Sequence, residues 1–391
     1  MGDKNATFSP VKLLIIIAVA SLFLQFGIGM QRTIYNNFIS EELHIEAQSF
    51  GVIESIREVP GLLTIVLAAG LAIFTESMAM SLCILLLAAG LIMYGQATGF
   101  ASLILATSIY STGFHMYLPV QSSMVLRLSN PGEKGRRLGE MESIRALGGF
   151  LAMGFVILTA NCLNYRMMFL VTALITALGA GVMLLFPRDK SNINRRQIVF
   201  RKKYWLYYLL IFLSGSRMHI YQAFATYALV NVFNIPVRNM ALLLGVSNAF
   251  AMITRPIIGR VIDQMGERKA LTINYACVII IFLGYAYVKY LPLLYLIYIL
   301  DNASMGVTMA ISTFLDKIAP REDVPSSLAM GSTIQHIAGV TVPTLGGLIW
   351  QTFGYQYTFF AGAVVAVFSL LATQKIDAVR DAIKAEQAAA A

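Results

Sequence analysis

The feature that most constrains this chain is a succession of apolar stretches, most of them near or above the roughly 20 residues an α-helix needs to cross a bilayer. They run 13–38, 47–74, 78–97, 100–126, 138–160, 167–186, 204–232, 241–262, 270–288, 293–314, 327–350 and 357–373, with short polar breaks between them. Of the 391 residues, 58% are hydrophobic and only 13% charged, whereas a soluble domain carries about 25% charged residues. No soluble core buries such an excess. The sequence predicts an all-α integral membrane protein with twelve transmembrane helices.

The formal net charge of +9 would in a soluble protein suggest nucleic acid, but the placement of the 29 Lys and Arg residues argues otherwise. With the N-terminus inside, cytoplasmic segments hold 21 of them and external loops three, Arg166, Arg238 and Lys289. The remaining five, Arg32, Arg57, Arg145, Arg217 and Arg255, fall inside the spans. This bias predicts cytoplasmic N- and C-termini by the positive-inside rule and no nucleic-acid partner. Ala18-Val19-Ala20 mimics a signal-peptidase site, but the apolar run continues through Met30, too long for a cleavable leader. Cys83, Cys162 and Cys277 lie far apart with no CxxC or His-Cys spacing, so neither a disulfide framework nor a metal site is expected. The sequence also lacks a P-loop and any nucleophile–base set, which argues against an ATP-driven pump and against an enzyme.

A basic polar stretch at 187–203 divides the spans into six plus six. The expected organisation is an N-terminal six-helix bundle at 1–186, a cytoplasmic linker at 187–203, a C-terminal six-helix bundle at 204–374 and a cytoplasmic tail at 375–391. The halves echo each other. At an offset of 190, Leu138, Ser143, Ile144 and Gly149 meet Leu328, Thr333, Ile334 and Gly339, and Tyr165 and Phe169 meet Tyr355 and Phe359. Pro60 and Pro256 correspond at a slightly different offset. Two parallel six-helix pseudo-repeats predict a solute cavity near the midplane and alternating access by rocking of one half against the other.

After the eighth span comes Gly259-Arg260-Val261-Ile262-Asp263-Gln264-Met265-Gly266-Glu267-Arg268-Lys269. This run resembles the cytoplasmic loop signature of the major facilitator superfamily, G-x-x-x-D-x-x-G-x-R-K, in spacing and in position between spans eight and nine. The resemblance implies a secondary transporter whose cytoplasmic gate is latched by Gly259, Asp263, Gly266, Arg268 and Lys269. On physical grounds Gly259 would permit close helix packing, Asp263 would face a helix N-terminus, and Gly266 would make the tight turn. The plainer alternative for Arg268 and Lys269 is topology anchoring alone. The corresponding first-half loop, Leu71 to Met78, lacks the Asp, the Gly turn and the basic pair. Span five, with Gly148-Gly149-Phe150-Leu151-Ala152-Met153-Gly154, also lacks the proline of the glycine-proline motif common in drug antiporters of this superfamily.

An ionisable residue at membrane depth is costly and marks a candidate pathway. Span two carries Glu54, Arg57 and Glu58 ahead of Pro60-Gly61, spaced so that Arg57 and Glu58 both neighbour Glu54 on one helix face. Two carboxylates with one arginine suit proton exchange, and a self-neutralised structural cluster is the alternative. Arg32, Arg217 (with His219 nearby) and Asp301 lie in helices that line the cavity of this superfamily. Either arginine could clamp a carboxylate or phosphate, or pair with an acid on another helix. His115 and Gln121, and His336 with Gln335, could relay protons or bind solute, or could simply bridge helices. Glu142 with Arg145, and Arg255, sit towards the cytoplasm, where snorkelling is the simpler account.

The expected function is proton-coupled movement of a small organic solute, with an anionic solute as first reading and a multidrug or amphiphile/proton antiporter as second. A passive channel or a substrate-sensing pseudo-transporter is the alternative of another class. The expected partners are the solute, protons and membrane lipids. No cofactor beyond a proton gradient is expected, and a monomer in a prokaryotic inner membrane is the expected setting.

Overall fold

The computed structural model describes residues 9–71, 73–130, 132–187 and 200–390, so Lys4 and most of the expected linker, 188–199, lie outside the described residues. The described chain is helical, with no strand. The first half contains α1 Pro10–Asn37, α2 Ala47–Leu62, α3 Thr64–Leu71, α4 Glu76–Gln96, α5 Phe100–Leu128, α6 Lys134–Thr159 and α7 Tyr165–Met183. The second contains α8 Trp205–His219, α9 Thr226–Asn231, α10 Val237–Met265, α11 Glu267–Tyr287, α12 Leu291–Ser304, α13 Met309–Ile318, α14 Val324–Phe353, α15 Tyr355–Thr373 and α16 Ile376–Ala390.

Among the described residues, eight helical stretches are long and apolar enough to cross a membrane: Pro10–Glu42, Glu76–Gln96, Lys134–Thr159, Tyr165–Met183, Val237–Met265, Glu267–Tyr287, Leu291–Ile318 and Tyr355–Ala385. The other four apolar stretches are also helical, as α2 with α3, α5, α8 with α9, and α14. These four carry Glu54, Arg57 and Glu58, His115 and Gln121, Arg217 and His219, and Gln335 and His336. Two of them are interrupted as well. The stretch at 47–74 breaks between α2 and α3, just after Pro60-Gly61. Between α8 and α9 the backbone takes a π-helical turn, Ile220–Ala225, a widening often found at functional positions.

Packing divides the chain into two compact units, Met1–Phe38 with Leu63–Arg195, and Ile39–Leu62 with Arg196–Ala391. In the first, α1 packs on α6 and α7, and α4 on α5 and α7. Tyr94 donates to Thr107 at 2.9 Å and Gln121 to Ser21 at 2.7 Å. Glu76, buried at the start of α4, accepts from Ser123 at 2.9 Å and from Arg127 at 2.8 Å on α5.

In the second unit α2 packs along α14, α11 along α15, and α14 along α8. The α2–α14 approach is close because both surfaces are small there. A Cβ on Gly51 would stand 3.1 Å from the Gly347 Cα, so any side chain would push the helices apart. Glu267 opens α11 as Glu76 opens α4, accepting from Thr313 at 3.1 Å and from Lys317 at 2.6 Å. The offsets from Ser123 to Thr313 and from Arg127 to Lys317 are again 190. The first half therefore has its own acidic tie, at a glutamate the loop signature does not include.

At the end of this unit Tyr204, Tyr207, Leu271, Phe314, Ile376 and Ile383 form one buried cluster. Asp323 lies beside it and accepts from the Tyr204 hydroxyl at 2.8 Å, from Arg201 at 2.7 Å and from Lys203 at 3.2 Å. Burial pushes its carboxyl up, but the Tyr204 bond and the two cations outweigh that and hold it below the ordinary aspartate value. A carboxyl depressed on folding stabilises above its unfolded pKa, and that stabilisation is lost as pH falls through the folded one. Asp323→Asn should therefore lower the thermal midpoint of the purified protein at pH 7. The gap to the wild type should close as pH drops below the ordinary aspartate range, and a gap that persists there would contradict this account.

Candidate functional site

The second unit gathers two buried charge clusters on neighbouring helices. The first is built on α2. Arg57 donates through Nε to Glu54 at 2.9 Å and pairs through Nη2 with Glu58 at 3.1 Å. The i,i+3 spacing of Glu54 and Arg57 puts them on one helix face, as the sequence implies. The other Glu58 oxygen lies 3.0 Å from Nδ1 of His336 on α14. Glu58 thus sits between a permanent cation and a titratable imidazole, and both glutamates are buried. Ser55, the residue after Glu54, accepts from the Thr344 backbone at 3.0 Å and bonds its hydroxyl at 2.7 Å, fixing the register of α2 on α14.

The second cluster joins α8 to α12. Arg217 Nη2 donates to Asp301 Oδ1 at 2.6 Å and to the Ser304 hydroxyl, and both charged side chains are 0% exposed. Nε and Nη1 of Arg217 have no hydrogen-bond partner among the described residues. Tyr221 packs on Tyr298 with ring centroids 5.2 Å apart, and Tyr285 lies near both Asp301 and Tyr298.

In the first unit the Arg32 guanidinium lies over the Phe114 ring, 5.9 Å from its centroid. His115 bonds Ser111 on its own helix, 2.9 Å to the hydroxyl, and Arg145 pairs with Glu142 at 2.9 Å. Within the loop signature, Gly266 has φ +80 and joins α10 to α11 as the expected turn. Gly259 corrects its physical reading: no neighbour lies within 4 Å of where its Cβ would be, so close helix packing is not its role within this unit. Asp263 and Lys269 are exposed. Arg268 reaches Asp377 of α16 at 3.0 Å and Gln374 at 3.3 Å, and Gln374 in turn donates to Thr272 at 3.0 Å.

His219, in sequence merely a neighbour of Arg217, is a candidate in its own right. It closes α8 immediately before the π-helical turn, is buried, and faces Glu58 across Gly339. Its signal was its spacing two residues from an intramembrane arginine.

A helical membrane unit with carboxylates, arginines and imidazoles buried between its spans is the interior of a transport protein rather than of a structural anchor. The family model of the Major Facilitator Superfamily matches residues 17–340. This chain belongs to the major facilitator superfamily. A multidrug resistance protein MdtG of Rahnella sp. (strain Y9602) is 21% identical over 272 residues, covering 65% of each chain. The chain thus spans 65% of the length of that relative. A multi-drug resistance efflux pump PmrA homolog of Lactococcus lactis is 20% identical, covering 66% of this chain and 67% of that one. Among solved structures, the nucleoside transporter NupG superposes with TM-score 0.76 at 16% identity, covering 94% of this chain and 98% of that one. A peptide transporter POT in complex with sulfate gives 0.71 at 16% identity, covering 95% of each. At such identities these structures speak to the fold alone.

Proposed function

We propose that this protein is a proton-coupled exporter of lipophilic or cationic organic solutes, with all twelve helical stretches crossing a bacterial inner membrane and both termini cytoplasmic. The observation that carries the coupling is Glu58, held between Arg57 at 3.1 Å and His336 at 3.0 Å in a buried setting. A carboxylate so placed exchanges a proton with an imidazole by moving it across one hydrogen bond, and the neighbouring arginine makes its charged form tolerable. The cargo class rests on charge. Within the two buried clusters Glu54, Glu58 and Asp301 outnumber Arg57 and Arg217, each arginine already binds a carboxylate, and Arg255 of the same unit is exposed and outside both. The multidrug relatives support the same class.

A second reading, an anionic solute, is favoured by one observation, the two guanidinium nitrogens of Arg217, Nε and Nη1, that have no hydrogen-bond partner among the described residues. Purified protein in liposomes loaded with a pH-sensitive dye separates the two. Ethidium or tetraphenylphosphonium should drive proton movement through the exporter. Movement with carboxylates or phosphates only would replace the cationic cargo by an anionic one, and no proton movement with any solute would end the coupled reading.

A further inference from the structure

We propose that His219 is a second proton station, inside the first, and that Gly339 is the positioning residue that lets it share Glu58 with His336; this rests on the proton-coupled reading above. A Cβ built on Gly339 would stand 2.6 Å from the Glu58 Cγ, 2.7 Å from the His219 Nε2 and 2.8 Å from its Cε1. The glutamate stem and the imidazole edge therefore converge on the space that the missing side chain leaves. Nε2 of His219 is buried and has no hydrogen-bond partner among the described residues, an arrangement that costs stability unless something else requires it.

The two imidazoles differ in access. His336 is bonded to Glu58 and its side chain is 21% exposed, whereas His219 is 3% exposed. Facing His219 are Glu58 and Arg57 from α2, and His336 with the Gln335 backbone from α14. On its own helix Arg217 is two residues away and committed to Asp301. Glu58 is the one carboxylate in that set. A proton on His336 passes from Nδ1 to the Glu58 carboxylate, leaving neutral imidazole and carboxylic acid. The acid then gives it to Nε2 of His219, restoring the carboxylate and forming imidazolium. No other atom changes hands, and the reverse sequence returns the proton. The π-helical turn that begins at Ile220 adjoins the inner station, so a charge there acts on the part of the helix whose backbone geometry is least regular.

The chain contains four histidines, His44, His115, His219 and His336, which makes the test direct and independent of any solute. Full-length protein carrying isotope-labelled histidine, in lipid nanodiscs, is titrated by nuclear magnetic resonance, with His219→Gln and His336→Gln assigning the two signals. In the wild type both rings should titrate, and in Glu58→Gln each midpoint should move by about one pH unit or more, as expected for sites coupled through a shared group. Gly339→Ala, checked for retained folding by its thermal midpoint, should change the His219 titration and leave that of His44 unchanged. A His219 signal that never titrates, or whose midpoint ignores both Glu58→Gln and Gly339→Ala, overturns the proposal. Proton movement in liposomes that survives in His219→Gln would overturn the relay while leaving the coupled reading intact. Its absence in the wild type would remove the coupled reading itself.

Discussion

Glu58→Gln should abolish solute-driven proton movement in liposomes, by about a hundredfold or more, the usual scale for losing a positioned proton-transfer group, while labelled solute still exchanges across the membrane. The amide keeps the size of the carboxylate and can bond both Arg57 and His336, so the α2–α14 contact survives. What it cannot do is hold a negative charge between them. Uphill accumulation should therefore fail while counterflow continues. Glu58→Asp draws the carboxylate back by one methylene and should retain part of the coupling. Equal loss of counterflow and proton movement in Glu58→Gln would mean that the cluster is structural.

The second large effect concerns stability. Arg217→Met should destabilise the protein by about 3–5 kcal/mol, because it leaves Asp301 charged and unpaired in a site with no exposure. Thermal unfolding of the purified protein measures this. The double variant Arg217→Met with Asp301→Leu should recover most of the loss, since replacing both members of a buried pair by apolar groups is often neutral. The same variant separates two roles for the pair. If it regains stability but not solute exchange, Arg217 and Asp301 belong to the pathway. If it regains both, their work is to join α8 to α12.

The helices were legible in the sequence because each is a long apolar run, and apolarity acts locally along the chain. The polar residues inside those runs were legible for the same reason, since each is locally out of place. Their partners were not. Glu58 and His336 are 278 residues apart and Arg217 and Asp301 are 84 apart, and nothing in either local sequence names the other. Only the Glu54–Arg57 and Glu142–Arg145 pairs, set by i,i+3 spacing within one helix, could be read directly. The association of residues 39–62 with the second unit is likewise a matter of matched small surfaces, at Gly51 and Gly347, that no pattern within either helix announces. The acidic tie at Glu76 lies outside the pattern of the loop signature. Its signal was the repeat itself, since its α5 partners Ser123 and Arg127 match Thr313 and Lys317 at the 190-residue offset.

The contact between Arg268 and α16 bears on how this protein is handled at the bench. α16 is held by Ile376 and Ile383 in the buried cluster, and its Asp377 pairs with the loop arginine, so a load carried by α16 is expected to reach the loop signature. A fluorescent or affinity tag joined to α16 should therefore change flux relative to the untagged protein, and equal flux from the two would show that the loop does not feel it.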